Sequence, residues 1–125
     1  MNKSNLFVLN FSKLIIIQKK FMFGVHHNPK RQIFYIKLNN YERATLLYKK
    51  NDNILDMKSI NVPEKFENRG IARLLTEAAF TYAIVNNYYL ILTCKYMQRT
   101  YEKIKTPELE ERVIGPSNFL KAPEV

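Results

Sequence analysis

Residues 61–87, NVPEKFENRGIARLLTEAAFTYAIVNN, decide the fold, because they predict the end of a strand, a polar loop and a long helix in succession. The apolar side chains of the helix recur at intervals of three and four residues, which places them on one face. They are Ile71, Leu74, Leu75, Ala78, Ala79 and Tyr82. Pro63 ends the preceding strand, and Gly70 lets the backbone come close to a group in front of the helix.

The start of this helix suits an anion. The first N–H groups of a helix have no partner within it, and the helix dipole places partial positive charge at the same end. A phosphate is therefore a suitable ligand in front of the turn at residues 68–72. One glycine in such a loop is also typical of an ordinary helix start, so this pattern alone does not decide between the two.

The segments on either side of the helix predict a sheet. Residues 32–38, 44–49 and 54–62 have strand-like composition and are separated by polar turns. They predict an antiparallel meander, and the apolar residues 88–97 predict a fourth strand after the helix. Helical segments are expected over 99–104 and from Pro107, with Gly115-Pro116 as a stop. The predicted fold class is α+β, an antiparallel N-terminal meander with a central crossover helix packed on a mixed sheet.

One domain is expected to account for most of the chain. A length of 125 residues, with 46% hydrophobic and 25% charged residues, suits a single globular domain, predicted over residues 23–115. Residues 116–125 are expected to form a loose C-terminal tail. The single cysteine provides no internal disulfide framework, so nothing argues for secretion. The expected compartment is the cytoplasm or the mitochondrion.

The net charge of +9 is concentrated at the N-terminus. Residues 1–41 contain seven Lys and Arg and no Asp or Glu, so +7 of the total lies there. Residues 1–22 form a basic and apolar extension without the run of ~18 apolar residues that a transmembrane segment needs. The extension is basic, apolar and free of acids, as a mitochondrial presequence is, but it lacks the arginine typical of one, so the fit is partial. A disordered extension and a start codon at Met22 are the alternatives.

Four motifs occur together in this order: Val62-Pro63, Arg69-Gly70-Ile71-Ala72, Ala78-Ala79 and Leu92-Thr93-Cys94-Lys95-Tyr96. Their combination resembles the GNAT superfamily, and within it the family of small N-acetyltransferase domain-containing protein 1. The resemblance continues upstream through Val25-His26-His27, Phe34 to Leu38 and Ala44 to Tyr48, and downstream to Val113. It implies a one-domain fold that binds acetyl-CoA as cosubstrate and transfers the acetyl group to an unidentified amine acceptor.

The resemblance also implies that backbone amides of the loop hold the CoA pyrophosphate. The residues concerned are Val62, Asn68, Arg69, Gly70, Ile71, Ala72 and Arg73. Converging N–H donors suit a pyrophosphate, and the two guanidinium groups would add positive charge, although solvated surface arginines are the alternative. Glu67 stands where GNAT loops usually carry Arg or Gln, and its carboxylate has the wrong sign for a phosphate ligand.

Three residues that follow the helix are candidates for the chemistry. Cys94 would accept the acyl group as a thiolate, although a lone cysteine in an apolar strand is more often a core residue. Tyr96 and Tyr101 are candidates for protonating the departing CoA thiolate, the role that the resemblance gives to a tyrosine. Tyr101 lies one residue further from Cys94 than in related sequences. Packing is the alternative for any one of eight tyrosines.

The pair His26-His27 has no further ligands at a metal-site spacing, so we interpret both as solvated strand-edge residues and expect no metal. Ser59-Ile60 stand where related proteins often carry a His-Thr pair. The predicted function is acetyl transfer from acetyl-CoA to an amine. One alternative is a CoA-binding module with weak or no catalysis, which Glu67 and the missing histidine favour. The other is a basic protein that binds nucleic acid or a membrane surface, with nucleic acid the less expected partner.

Overall fold

The structure, a computed structural model, describes residues 24–120. The strands are β1 (His26–Asn28), β2 (Ile33–Lys37), β3 (Arg43–Asn51), β4 (Ile54–Asn61), β5 (Tyr89–Leu92) and β6 (Val113–Gly115). The helices are α1 (Ile71–Val85), α2 (Lys95–Ile104) and α3 (Pro107–Arg112), and a short 3-10 turn covers Glu64–Phe66. The predicted meander, crossover helix and mixed sheet are present, so the α+β fold class is confirmed.

The six strands lie in the sheet in the same order as in the chain. The first four form an antiparallel meander, whereas β4–β5 and β5–β6 are parallel pairs. Parallel neighbours require crossover connections, which α1 supplies for the first pair and α2 with α3 for the second. All three helices lie on one face, because α1 contacts β2, β3 and β4 beneath it and α2 and α3 beside it.

The core lies between this face of the sheet and α1. Alternate residues of β2, β3, β4 and β5 are buried there, as the two-residue period of a strand requires. The buried strand residues include Phe34, Ile36, Ala44, Leu46, Tyr48, Leu55, Met57, Leu90 and Leu92. The apolar stripe predicted for α1 covers only part of the helix surface that is buried, since Thr76, Phe80 and Ala83 are buried as well. The neighbouring helices α2 and α3 pack against α1 and account for this second buried side.

The predicted strand over residues 88–97 is wrong beyond Leu92. The amide of Cys94 still donates to the carbonyl of Met57 at 2.9 Å, and α2 then begins at Lys95. The Gln98 amide side chain donates to the carbonyl of Leu92 at 2.7 Å, which satisfies the end of β5 from the first turn of the helix. Buried residues of α2 at helical spacing, Met97, Thr100 and Tyr101, explain why this aromatic-rich segment forms a helix.

The C-terminal part is more ordered than the sequence predicts. α3 begins at Pro107 as expected, and Thr106 caps it by accepting a hydrogen bond from the amide of Leu109 at 3.3 Å. The chain then adds the short strand β6 before Pro116, which the sequence did not predict. Phe119 and Leu120 pack against the core, so the predicted loose tail does not begin at residue 116.

The predicted extension, residues 1–22, lies outside the described part of the chain, as do residues 121–125. None of the helices within residues 24–120 has both the length and the apolar content that crossing a bilayer requires.

Candidate functional site

A cavity of about 300 Å³ opens in front of the N-terminus of α1. Its walls come from the end of β4, the loop that follows and the first turn of α2. The residues that line it are Ile60, Val62, Phe66, Glu67, Asn68, Gly70, Ile71, Ala72 and Tyr96. Five of the seven residues predicted for cofactor binding therefore meet at one cavity, together with one of the predicted catalytic tyrosines.

The loop conformation leaves backbone amides of α1 without partners. Asn68 and Gly70 adopt left-handed backbone angles, with φ of 63° and 80°, and turn the chain into the helix. The amide of Leu74 makes the first helical hydrogen bond, to the carbonyl of Gly70 at 3.1 Å. The N–H groups of Ile71, Ala72 and Arg73 precede that bond, and no side chain caps them. The first turn of α1 thus presents three donors and the positive end of the helix dipole.

Gly70 is required for its backbone angle and not for close packing within the protein. A Cβ atom added there would meet no atom within 4 Å. The left-handed conformation nevertheless penalises most other residues, because their Cβ would clash with the backbone. The space in front of Gly70 belongs to the cavity.

The sheet separates beside this cavity. β4 pairs with β5 only from Ile54↔Tyr89 to Met57↔Leu92, whereas it continues to pair with β3 as far as Asn61. The chain leaves β5 for α2, so within residues 24–120 no strand pairs with residues 58–61 on that side. A strand edge of this kind exposes backbone N–H and C=O groups in a row. The gap between the end of β4 and α2 leads to the cavity at Ile60 and Tyr96.

The two predicted arginines do not line the cavity. The Arg73 guanidinium donates from Nε to Oε2 of Glu77 at 2.7 Å, in an i,i+4 pair on the surface of α1. The guanidinium carbon of Arg69 lies 5.6 Å from the ring centroid of Phe66, which is itself a residue of the cavity wall. Ile60 and Phe66 line the cavity and were not predicted; their only signal was apolar character next to the loop.

Cys94 and Tyr101 lie away from the cavity. The Cys94 side chain is at the N-terminus of α2 with only 8% of the residue exposed, and not on a strand face as predicted. Tyr101 is 4% exposed, and its ring packs edge-on against Phe119 at 5.9 Å between centroids. Burial raises the pKa of the Tyr101 phenol, and the carboxylate of Glu110 adds to the effect. Of the three predicted catalytic residues, only Tyr96 reaches the cavity.

The interpretation of both histidines as solvated is wrong for His27. Its ring stacks on Phe34 at 4.1 Å between centroids and makes a T-shaped contact with Tyr82 at 4.4 Å between centroids. Burial lowers the pKa of His27, because the imidazolium would lose its hydration there. Across residues 24–120, no three His, Cys, Asp or Glu side chains are arranged to hold a metal ion.

Residues 33–111 match the family described as GCN5-related N-acetyl-transferase. The chain belongs to this family. Protein NATD1 of Xenopus tropicalis is 34% identical over 91 residues, which cover 71% of this chain and 84% of that protein. Human protein NATD1 is 33% identical over 91 residues, covering 71% of this chain and 80% of the human protein. The resemblance to the GNAT superfamily and to the small N-acetyltransferase domain-containing proteins is therefore confirmed.

A solved structure supports the fold of this GCN5-related chain. The NMR structure of a GCN5-like protein from Staphylococcus aureus matches it with a TM-score of 0.57 and 19% sequence identity. The match covers 74% of this chain and 89% of the bacterial protein. The chain thus has an acetyltransferase-like fold, with its cavity at the start of the central crossover helix.

Proposed function

We propose that the chain binds acetyl-CoA in this cavity and transfers the acetyl group to an amine. The observation that carries the proposal is the set of unpartnered amides at Ile71, Ala72 and Arg73, beside a cavity that Gly70 leaves open. Membership of the GCN5-related family supplies the class of reaction. The pyrophosphate of CoA is the anion that these donors would hold.

The rest of the cosubstrate has a matching surface. The pantetheine arm is an extended chain with two amide groups, and the unpaired edge of β4 at residues 58–61 offers backbone donors and acceptors to such a chain. Ile60 and Val62 provide apolar contacts on the cavity wall. Of the two predicted arginines, Arg69 lies beside Phe66 of the cavity wall and is the one proposed to supplement the amides, whereas Arg73 would first have to leave Glu77.

The chemistry is direct transfer. The neutral amine attacks the thioester carbonyl carbon, the C–S bond breaks, and the amide product loses the proton that the amine nitrogen carried. The departing thiolate takes up a proton, and Tyr96 is the cavity residue that would donate it. Cys94 takes no part, because its buried side chain does not line the cavity. Orientation of the two reactants would supply most of the rate enhancement.

A CoA-binding module without efficient catalysis is the second candidate. The observation that favours it is Glu67, whose carboxylate-bearing side chain lines the same cavity. A negative charge there opposes the pyrophosphate and weakens the cosubstrate complex. This candidate keeps the binding site but predicts no release of free CoA in the presence of amines.

Calorimetric titration of the full chain with acetyl-CoA tests binding. Ala72→Glu places a carboxylate in the first turn of α1, where an acid stabilises a helix but repels a phosphate, so it should fold and lose affinity at least about tenfold. Asn40→Asp is the matched control, since it adds the same charge in an exposed turn that does not line the cavity. Absence of heat and of a thermal shift at millimolar acetyl-CoA would overturn the proposal.

Assays of CoA thiol release with peptide and small-molecule amines separate the two candidates. Transfer requires acceptor-dependent thiol release and a mass increase of the acceptor. Acetyl-CoA binding without release, across acceptors of every charge type, would favour the module without catalysis.

A further inference from the structure

The sheet has a second face that no helix of residues 24–120 covers, because α1, α2 and α3 all lie on the other side. We call it the open face. The strand residues whose side chains alternate away from the core are Ile33, Tyr35, Lys37, Arg43, Thr45, Leu47, Lys49, Ile54, Asp56, Ser59, Asn61, Tyr89 and Ile91. Leu47 lies near the middle of this face with 45% of its surface exposed, which is unusual for a large apolar residue in a central strand.

Charge is distributed unequally between the two sides of the molecule. The open face carries Lys37, Arg43 and Lys49, and Lys58 joins it through an ion pair with Asp56 at 2.9 Å. Asp56 is its only acid among the described residues, and it also accepts a hydrogen bond from the Thr93 hydroxyl at 2.6 Å. The helices carry equal numbers of acids and cations, so their net charge is zero. The acids are Glu77, Glu102, Glu108, Glu110 and Glu111, and the cations are Arg73, Lys95, Arg99, Lys103 and Arg112.

The cations of the open face are available to a partner. Within residues 24–120, no carboxylate lies within ion-pair distance of Lys37, Arg43 or Lys49. Glu42, in the turn at the border of the face, is held by Lys65 at 3.0 Å and by the Asn39 side chain at 2.8 Å. The open face therefore carries a net positive charge, with Asp56 as the one acid among its described residues.

One of these cations is already oriented. The Arg43 guanidinium carbon lies 4.6 Å from the ring centroid of Tyr35, and His26 stacks on the same ring at 5.0 Å. A guanidinium fixed over an aromatic ring loses less side-chain entropy when it binds a carboxylate in a bidentate manner. The same two contacts occupy Tyr35, which disfavours the stacking of unpaired bases on it. The arrangement thus favours carboxylates over single-stranded nucleic acid.

We propose that the open face binds an acidic polypeptide segment that presents the acceptor amine to the gap beside β4. The inference rests on the proposed function and adds the class of acceptor to it. The gap at residues 58–61 adjoins the open face through Ser59 and Asn61, which pair with Leu47 and Thr45 of β3. An amine that enters the gap from this face approaches the thioester from the side opposite to α1.

The spacing of the cations defines the acidic positions. Neighbouring strands lie ~4.8 Å apart, so β2 is ~10 Å from the gap beside β4. An extended peptide advances ~3.3 Å per residue. Acids that lie two to four residues from the amine in the peptide would therefore be placed over Lys37, Arg43 and Lys49. An apolar residue between the acids would contact Leu47. Residues 1–22 of the chain itself are an unsuitable occupant, because they carry four lysines and no acid.

Fluorescence anisotropy with the full chain tests the docking surface. The probes are a labelled peptide with one lysine and four glutamates at these spacings and the same peptide with glutamines in their place. The acidic peptide should bind at least about tenfold more tightly, and added salt should weaken it. Arg43→Glu should reduce its affinity about tenfold or more, whereas Lys103→Glu, the same charge change on exposed α2, should stay within about twofold.

Several outcomes would overturn the inference. Equal affinity for the two peptides would show that the open face does not select acidic partners. Equal losses of affinity from Arg43→Glu and Lys103→Glu would show that the peptide responds to the overall charge of the protein and not to the open face. Oligothymidylate that binds more tightly than the acidic peptide and displaces it would identify nucleic acid as the occupant.

The docking step and the catalytic step can be distinguished. Arg43→Glu should leave acetyl-CoA affinity unchanged in calorimetry while raising KM for the acidic acceptor about tenfold. Peptide binding by a chain that fails to bind acetyl-CoA would contradict the proposed function and leave the docking surface supported. Unchanged KM for the acidic acceptor in Arg43→Glu would overturn its role in acceptor recognition.

Discussion

Nε2 of His27 lies 2.7 Å from the hydroxyl oxygen of Tyr48, a hydrogen bond that joins the edge strand β1 to β3 across β2. Both groups are held in their neutral forms. Burial first, and then the neighbouring phenols of Tyr82 and Tyr88, raise the pKa of Tyr48 to about 12. Burial lowers the pKa of His27 below its ordinary value of 6.5. The pair therefore couples the attachment of β1 to the protonation state of one imidazole.

The first prediction is a loss of stability on acidification that depends on His27. The unfolded chain takes up a proton at this residue more readily than the folded chain, so the contribution of His27 is complete above pH 6.5 and is lost as the pH falls below it. Thermal melting at about pH 7.5 and about pH 5.5 should show a smaller decrease for His27→Gln than for the wild type. His26→Gln, at an exposed neighbour, is the control. Equal decreases in all three proteins would contradict the role of His27.

The second prediction concerns Glu67, which lines the cavity. Glu67→Arg replaces repulsion of the pyrophosphate by attraction, so the affinity for CoA should rise on the order of tenfold, with Glu67→Gln in between. Calorimetry at low and high salt should show the gain shrinking with ionic strength, because the side chain is exposed. Dephospho-CoA should keep most of the gain and pantetheine none. Equal affinities of wild type and Glu67→Arg at low salt would mean that the carboxylate points away from the phosphates.

The third prediction separates the two tyrosines. Tyr96→Phe should lower kcat about tenfold or more and leave KM for acetyl-CoA within about twofold, because the hydroxyl acts on the departing thiolate. This loss of kcat is expected to be small compared with the ~100-fold or more that general acid catalysis typically contributes, since a thiolate is a stable leaving group. Tyr101→Phe is the matched control, because its ring is buried against Phe119 and does not line the cavity. A larger loss of kcat in Tyr101→Phe than in Tyr96→Phe would reverse the assignment.

The sequence predicts those parts of the molecule that periodicity governs. The alternation in β2 and β3 and the stripe of α1 fix the meander and the crossover helix, since each pattern buries one face. The segment from Tyr89 to Tyr96 misleads because its aromatic and β-branched residues continue from β5 into α2 without a turn signal. The three-residue strand β6 is too short to show a period.

The site was predicted where local backbone geometry controls it and missed where side chains from distant segments meet. Gly70 and the amides after it follow from one loop, so their place at the cavity could be expected. Ile60 at the end of β4 and Tyr96 in α2 line the same cavity, and no local pattern signals that they meet. The i,i+4 spacing of Arg73 and Glu77 could have predicted their ion pair from the sequence. That ion pair competes with the phosphate contact that was expected of Arg73.

The last prediction concerns Cys94, the residue for which acyl transfer and packing were the alternatives. Its side chain is buried at the start of α2 and lies outside the cavity, so packing is its proposed role. Cys94→Ala should lower the free energy of unfolding by about 1 kcal/mol or more, because a small buried side chain leaves a void. Cys94→Ser keeps the size of the residue but buries a hydroxyl, so it should also destabilise while kcat stays within about twofold. Denaturant titration and the thiol-release assay give the two quantities.

A covalent acyl-enzyme would behave in the opposite way: wild-type protein incubated with acetyl-CoA would gain the mass of an acetyl group, and Cys94→Ser would abolish transfer with little change in stability. Direct transfer predicts neither result, because the amine then reaches the thioester without any side chain forming a bond to the acetyl group.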